Sequence, residues 1–249
     1  MRMVSDLMAR QGNWLFRWRS YLLLGLAPLF LVALTRPEAV EAEFGSLVDS
    51  LYEAACIALA FAGLAIRAVT VGYVPAGTSG RNTRGQLAET LNTTGLYSLT
   101  RNPLYLGNAV IYMAIAAFTQ DVFVVVIMGL FLWLYLERII AAEEAFLVAK
   151  FGEVYLAWAK QTPVFLPRLK DWRAPVLQFS VRNVLRREYS GFFAIVAAFF
   201  LVDQLHEYLT EHPESVDPTW TVTLAGGAML YLFLRTLKKR TRLLDVAGR

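Results

Sequence analysis

The sequence predicts an all-α integral membrane protein of about six transmembrane helices, and two observations predict it. First, 57% of the 249 residues are hydrophobic and 18% are charged, whereas a soluble domain is about half apolar and about a quarter charged. The excess is bunched into 21–34, 47–66, 104–118, 122–136, 191–202 and 219–234, which carry almost no charge. With their flanks these runs approach the roughly 17–25 residues that a span requires. Second, the connecting segments alternate in sign. Such a pattern orients a membrane protein, because lysine and arginine stay on the cytoplasmic side.

In chain order, residues 1–20 hold four arginines against Asp6, and the connection after the first run is acidic, with Glu38, Glu41 and Glu43. Residues 67–103 are basic, with Arg67, Arg81, Arg84 and Arg101 against Glu89, and the turn at 119–121 has no positive charge. Residues 137–189 hold nine basic and six acidic side chains, residues 203–218 five acidic and no Lys or Arg, and residues 235–249 six basic and one acidic. Both termini and two long segments are therefore expected in the cytoplasm, with the protein in a bacterial inner membrane. The run at 21–34 is short, but the arm before it carries Trp14 and Trp18, which suit an interfacial anchor better than a cleaved leader. Cys56 is the single cysteine and lies in an apolar run, which excludes disulfides and thiolate metal sites.

Few residues offer chemistry. His206 and His212 fall in the acidic connection, so the cytoplasmic side has no histidine base. Segment 75–103 contains Gly77, Gly80, Gly85 and Gly95 among short polar residues, a turn-rich pattern that lacks the lysine-containing phosphate loop. Arg101 and Asn102 precede the third run beside Tyr97 and Tyr105, and Pro103 opens it, a position proline tolerates well. Taken alone, these side chains also suit interfacial anchoring. Glu137, Arg138, Glu143 and Glu144 continue the fourth run. Carboxylates at membrane depth are expensive and mark function by default. The short turn between runs three and four demands an antiparallel hairpin, which brings 102–107 beside 139–144.

Thr94-Gly-Leu-Tyr-Ser-Leu-Thr-Arg-Asn-Pro-Leu-Tyr-Leu-Gly107, then Glu143-Glu144, then Phe151-Gly-Glu-Val-Tyr-Leu-Ala-Trp158 and Pro163-Val-Phe-Leu-Pro167 together resemble the isoprenylcysteine carboxyl methyltransferase and phospholipid methyltransferase superfamily over about 59–169. Leu96 stands where the family usually has proline, and Asn102 where it usually has histidine. The resemblance implies S-adenosylmethionine as methyl donor, a cofactor pocket at the cytoplasmic face, and a membrane lipid or lipid-anchored acceptor. No metal and no nucleic-acid partner are expected. Carried onto this chain, the cofactor-binding residues are Gly95, Leu96, Tyr97, Arg101, Asn102, Pro103, Tyr105, Gly107, Glu143 and Glu144, with Arg101 and Tyr97 placed at the reaction.

Phe151, Gly152, Tyr155, Trp158, Phe165 and Pro167 belong either to a lid over the cofactor or to an aromatic interface belt. The chain then divides into an interfacial arm (1–20), helices one and two (21–74), and a methyltransferase core with cofactor loop, helices three and four and lid (75–170). An amphipathic linker (171–189), either a helix lying on anionic headgroups or a connection that obeys the positive-inside pattern, and helices five and six with a basic tail (190–249) complete it. Missing histidine and abundant arginine (Arg67, Arg81, Arg84, Arg101, Arg138) lean towards an anionic acceptor, such as a lipid phosphate or carboxylate. A phospholipid amine acceptor, an NADPH-dependent sterol-reductase-like enzyme and a non-catalytic membrane scaffold are the alternatives.

Overall fold

The computed structural model describes residues 4–78, 88–210 and 218–249, so Arg81, Arg84, Gly80, Gly85 and His212 lie outside the described residues. The α-helices are α1 (Val4–Leu22), α2 (Ala27–Ala33), α3 (Ala39–Phe44), α4 (Ser46–Tyr73), α5 (Leu96–Leu99) and α6 (Pro103–Phe118). They continue with α7 (Val122–Phe151), α8 (Glu153–Gln161), α9 (Val181–Thr210) and α10 (Pro218–Arg240). Helix α1 packs on α7, α7 on α6, α6 on α4, α4 on α9 and α9 on α10, and α9 also touches α6, so that α4, α6 and α9 share one core.

Four helices, α4, α7, α9 and α10, are long and apolar enough to cross a membrane, and a bent pair made from the first helices raises the number to five. Six were expected; the remaining apolar run, α6, is a shorter apolar helix. The run at 21–34 is not one straight helix: a 3-10 turn at Leu23–Leu26 separates α1 from α2, and the two halves bend by 86°. Gly25 lies in the turn and Pro28 in the first turn of α2. Glycine weakens a helix, and proline has no N–H for a helix continuing from before it. The third run, α6, has only 16 residues, about 24 Å at 1.5 Å per residue against a hydrocarbon core of about 30 Å.

The ends of the bundle differ in charge, as the sequence alternates. At the acidic end Gln120 adopts φ 56°, a conformation non-glycine residues seldom take, and its amide holds the tight α6–α7 turn. It donates to Asp49 at 2.7 Å and accepts from the Val40 N–H at 2.7 Å. Asp121 caps α7 by accepting from the N–H groups of Phe123 and Val124, and accepts from Arg36 at 2.6 Å. Tyr52 on α4 donates to the Ala117 carbonyl at 2.9 Å. Helices α4, α6 and α7 are thus level at this end. With 28 residues in α4 and 30 in α7, the short α6 stops well inside the opposite, basic end.

Segment 171–189 is not one amphipathic helix. A 3-10 turn at Leu169–Asp171 leads into non-helical residues 172–180, and α9 starts at Val181. Pro175 explains part of this, since it restricts the residue before it and donates no backbone bond. Instead, its start closes a strap that begins at 162, the Gly95 N–H donating to the Arg173 carbonyl at 2.9 Å, and further on the Ser180 N–H donates to the Gly72 carbonyl at 3.0 Å.

Helices α4 and α6 cross at two glycines. A Cβ on Gly63 would lie 2.7 Å from the Gly107 carbonyl oxygen, and one on Gly107 would lie 2.6 Å from Arg67 Cγ. Small residues at such crossings let membrane helices approach closely. Gly63→Ala is expected to lower stability in detergent by about 1–3 kcal/mol, the usual cost of overpacking. Gly226→Ala on α10, with no atom within 4 Å of the added carbon, should be neutral or mildly stabilising. Thermal unfolding of the two variants checks the contrast.

Candidate active site at the basic rim

Because α6 ends early, the loop before it is recessed between longer helices. Pro103 occupies the first turn of α6 as expected, with Asn102 as the cap residue. Pinning that loop is the strap at 162–173. The Arg101 N–H donates to the Pro163 carbonyl at 2.8 Å, and the Arg168 N–H to the Leu99 carbonyl at 3.0 Å. The Thr100 hydroxyl donates to the Phe165 carbonyl at 2.8 Å, and Asn102 Nδ2 to the Val164 carbonyl at 2.9 Å. Asn102, standing where the family usually has histidine, therefore spends its amide on holding the strap. Gly95, at φ 61°, starts the single turn of α5, where its freedom at positive φ is needed. Leu96, half-buried, follows it.

The α6–α7 hairpin brings together the residues that the sequence could only align. Arg101 donates through an Nη to Glu144 Oε1 at 2.6 Å, and the Tyr105 hydroxyl donates to Glu143 Oε1 at 2.8 Å. Arg101 and Glu144 are 15% and 29% exposed. Tyr155 on α8 is buried, with its hydroxyl facing Arg101 and Glu144. Burial and the Glu144 charge push that hydroxyl's pKa well up, so Tyr155 stays a neutral phenol. Tyr97 behaves likewise. Burial foremost, then the Glu143 charge, push its pKa up against the weaker opposing pull of Arg187 and Arg67. Gly107 is a close-approach residue between α4 and α6, packed on the stem of Arg67.

Sequence reasoning missed a second cluster. Arg67 on α4 donates to both carboxylate oxygens of Glu188 on α9, at 2.9 Å each, and to Asn108 Oδ1 on α6 at 2.6 Å. Arg67 is 14% exposed and Glu188 5%. A signal was present: Arg67 continues the helical run of α4 to Tyr73, and Glu188 stands three residues before the apolar stretch of α9. Which residues pair across 121 positions was not legible.

Chemically, the rim presents carboxylates that accept hydrogen bonds, an arginine whose Nε is buried without an acceptor, and neutral tyrosines. Those are the groups required by an amino-acid nucleoside: acceptors for ammonium and ribose hydroxyls, a donor for a carboxylate, and aromatic faces for a cation. The residues present fit S-adenosylmethionine. Among the described residues, no group of three or more His, Cys, Asp and Glu is arranged to hold a metal ion.

Fold and site together define a helical membrane protein with a polar, carboxylate-bearing rim recessed at one end of the bundle. Residues 53–154 match the family model described as phospholipid methyltransferase, and this stretch is a domain of the isoprenylcysteine/phospholipid methyltransferase superfamily. The match runs from α4 into α8 and leaves α9 and α10 outside. The cobalt-zinc-cadmium resistance protein CzcN of Cupriavidus metallidurans is 36% identical over 89 residues, covering 36% of this chain and 41% of that protein. The nickel-cobalt-cadmium resistance protein NccN of Alcaligenes xylosoxydans xylosoxydans is 34% identical over 90 residues, covering 36% of this chain and 42% of that protein. The chain thus spans about two fifths of the length of these curated relatives. No solved structure matches it.

Removing one partner of a buried ion pair typically costs about 3–5 kcal/mol, because the other charge stays buried and uncompensated. Glu188→Gln is therefore expected to lower the unfolding midpoint sharply although the residue lies outside the matched stretch. Glu137→Gln, at an exposed position on α7, should leave the midpoint unchanged. Detergent thermal unfolding of both variants decides it.

Proposed function

We propose that this chain is an S-adenosylmethionine-dependent methyltransferase that acts on a membrane lipid or lipid-anchored group at the cytoplasmic face of a bacterial inner membrane. One observation carries the reading: inside the matched stretch, Tyr97, Arg101, Tyr105, Glu143 and Glu144 gather at one recessed rim, with pairs at 2.6 and 2.8 Å. S-adenosylmethionine supplies an electrophilic methyl on a sulfonium. In this reading Glu143 and Glu144 accept from its amino group and ribose hydroxyls, and Arg101 donates to its carboxylate. Tyr97, whose hydroxyl burial holds in the neutral form, and Tyr105 turn aromatic faces to the cation. The strap at 162–173 excludes water from the loop that it covers. Methyl transfer is a direct displacement, so alignment is the main contribution a protein makes.

The acceptor is read as anionic, on different ground from the arginine count. Arg67 and Arg101 are committed to carboxylates, so their number no longer argues for a free anion. Burial argues for it instead. An anionic nucleophile meeting a sulfonium cancels charge as the new bond forms, which a dry, low-dielectric rim favours, since isolated charges are costly there. A neutral amine would only move the positive charge and would need a base for its proton. The metal-resistance names belong to the relatives. Support for the present reading comes from the matched stretch and the rim.

S-adenosylhomocysteine should raise the melting temperature of the detergent-solubilised protein and NADPH should not; the reverse would favour a reductase, and no response to either a scaffold. Glu144→Gln should weaken S-adenosylmethionine binding at least about tenfold, the loss expected for a charge-assisted bond. An unchanged affinity in folded protein removes Glu144 from the site. Lipid mass spectrometry should show a product heavier by one methylene unit only in cells carrying the active protein.

Topology has its own check. In a Cys56→Ala background, a cysteine replacing exposed Glu43 should react with an impermeant thiol reagent added outside intact cells, and one replacing exposed Lys170 should not. The opposite pattern puts the rim on the other leaflet.

A further inference from the structure

Among the described residues, two buried side-chain nitrogen or oxygen atoms have no hydrogen-bond partner: Arg101 Nε and Trp158 Nε1. Both groups are donors with no accepting capacity, so they cannot satisfy each other. Buried donors are left unpaired seldom and at a cost, and each exception asks for an explanation. These two flank one residue. Tyr155 packs its ring against that of Trp158, centroids 5.6 Å apart, and turns its hydroxyl to Arg101 and Glu144. Trp158 is half-buried on α8, one turn beyond Tyr155 and outside the matched stretch.

Two vacant donors, one of them cationic, ask for an oxyanion. Arg101, however, is already balanced by Glu144 at 2.6 Å, so a bare anion would leave the corner with excess negative charge in poorly hydrated surroundings. A group carrying an ammonium beside its oxyanion avoids this: the ammonium faces Glu144, the oxyanion faces Arg101, and charge is conserved.

We propose that Trp158 Nε1 and Arg101 Nε form a two-donor cradle for the oxyanion of such a zwitterion. The inference rests on the function proposed above and adds Trp158 as a binding residue. Two sources share this chemistry: the α-amino-acid end of S-adenosylmethionine, and the headgroup of an aminophospholipid.

Trp158→Phe keeps an aromatic ring, though a smaller one, and deletes the N–H. Binding is measured by calorimetry with three probes: S-adenosylhomocysteine, 5′-methylthioadenosine, which lacks the amino-acid end, and nanodiscs containing phosphatidylethanolamine. If the donor's amino-acid end fills the cradle, the variant binds S-adenosylhomocysteine about tenfold or more weakly, as for a lost bond to a charged group, and 5′-methylthioadenosine unchanged. If a headgroup fills it, both nucleosides bind normally and the loss appears with the nanodiscs. A folded variant that binds all three probes like wild type overturns the cradle while leaving the function reading standing. Wild type that binds neither nucleoside overturns that reading and this inference with it. A second measurement does not depend on the variant's folding. In wild-type protein with 15N-labelled indoles, one of the six tryptophan N–H resonances should move downfield on adding S-adenosylhomocysteine or phosphatidylethanolamine; none moving with either probe is equally fatal.

Discussion

Arg67 is gripped by both oxygens of Glu188 and by the side chain of Asn108, so one guanidinium ties together α4, α6 and α9. In a membrane-embedded bundle such a contact is a constraint on everything around it. Helices there gain little from burying apolar surface, because lipid is as apolar as leucine, and packing and polar contacts must set their arrangement. A bidentate pair in poorly hydrated surroundings has one good geometry. Separating α9 from α4 would expose two charges to hydrocarbon. The glycine crossing of α4 and α6 lies one turn from Arg67, and Gly107 packs on its stem. Close approach and charge pairing therefore specify the same register between these helices. The hairpin places α7 against α6, α1 packs on α7, and α10 on α9.

The rim follows from a mismatch in helix length. Fixed level at the acidic end, α6 runs out about half-way along its longer neighbours, and the polar loop at 95–102 fills the shortfall. Backbone groups in apolar surroundings must find partners, and here the strap supplies them through Pro163, Val164, Phe165 and Arg173. The same bonds that make an irregular loop tolerable also cover it. Arg101 and Glu144 are thereby held partly away from water, and burial pushes the Tyr97 and Tyr155 hydroxyls up.

Much of this was legible in the sequence, and the part that was not has identifiable causes. Apolar runs and alternating charge found the long helices, since both follow from composition over many residues. A three-residue turn sufficed to place Arg101 and Tyr105 opposite Glu143 and Glu144. That Arg101 would close on Glu144 rather than stand open was beyond it, because pairing depends on distances of an ångström. The bend at 21–34 was not legible, because hydropathy is continuous there while Pro28 interrupts the hydrogen-bond ladder. At 104–118 the apolar run is a helix, α6, of only 16 residues. Of the two readings open for 171–189, the helix fails over 172–180, where Pro175 and the bonds to Gly95 and Gly72 outweigh periodicity.

The matched stretch ends at residue 154, but the physical unit does not. Within 53–154, Arg67 would keep its bond to the neutral Asn108 but lose the carboxylate that grips it with both oxygens. The compensating carboxylate comes from α9, and the partners for the loop backbone come from 163–173. Helix α9 is therefore part of what allows a positive charge to stand beside Tyr97, and the strap is part of what allows a polar loop to lie inside the rim. The counter-charge has to come from somewhere in any chain with an arginine at this depth, because an unpaired buried charge costs more than most single contacts return. Here Glu188 supplies it from beyond the matched stretch, which makes the C-terminal helices a structural condition of the rim rather than an addition to it.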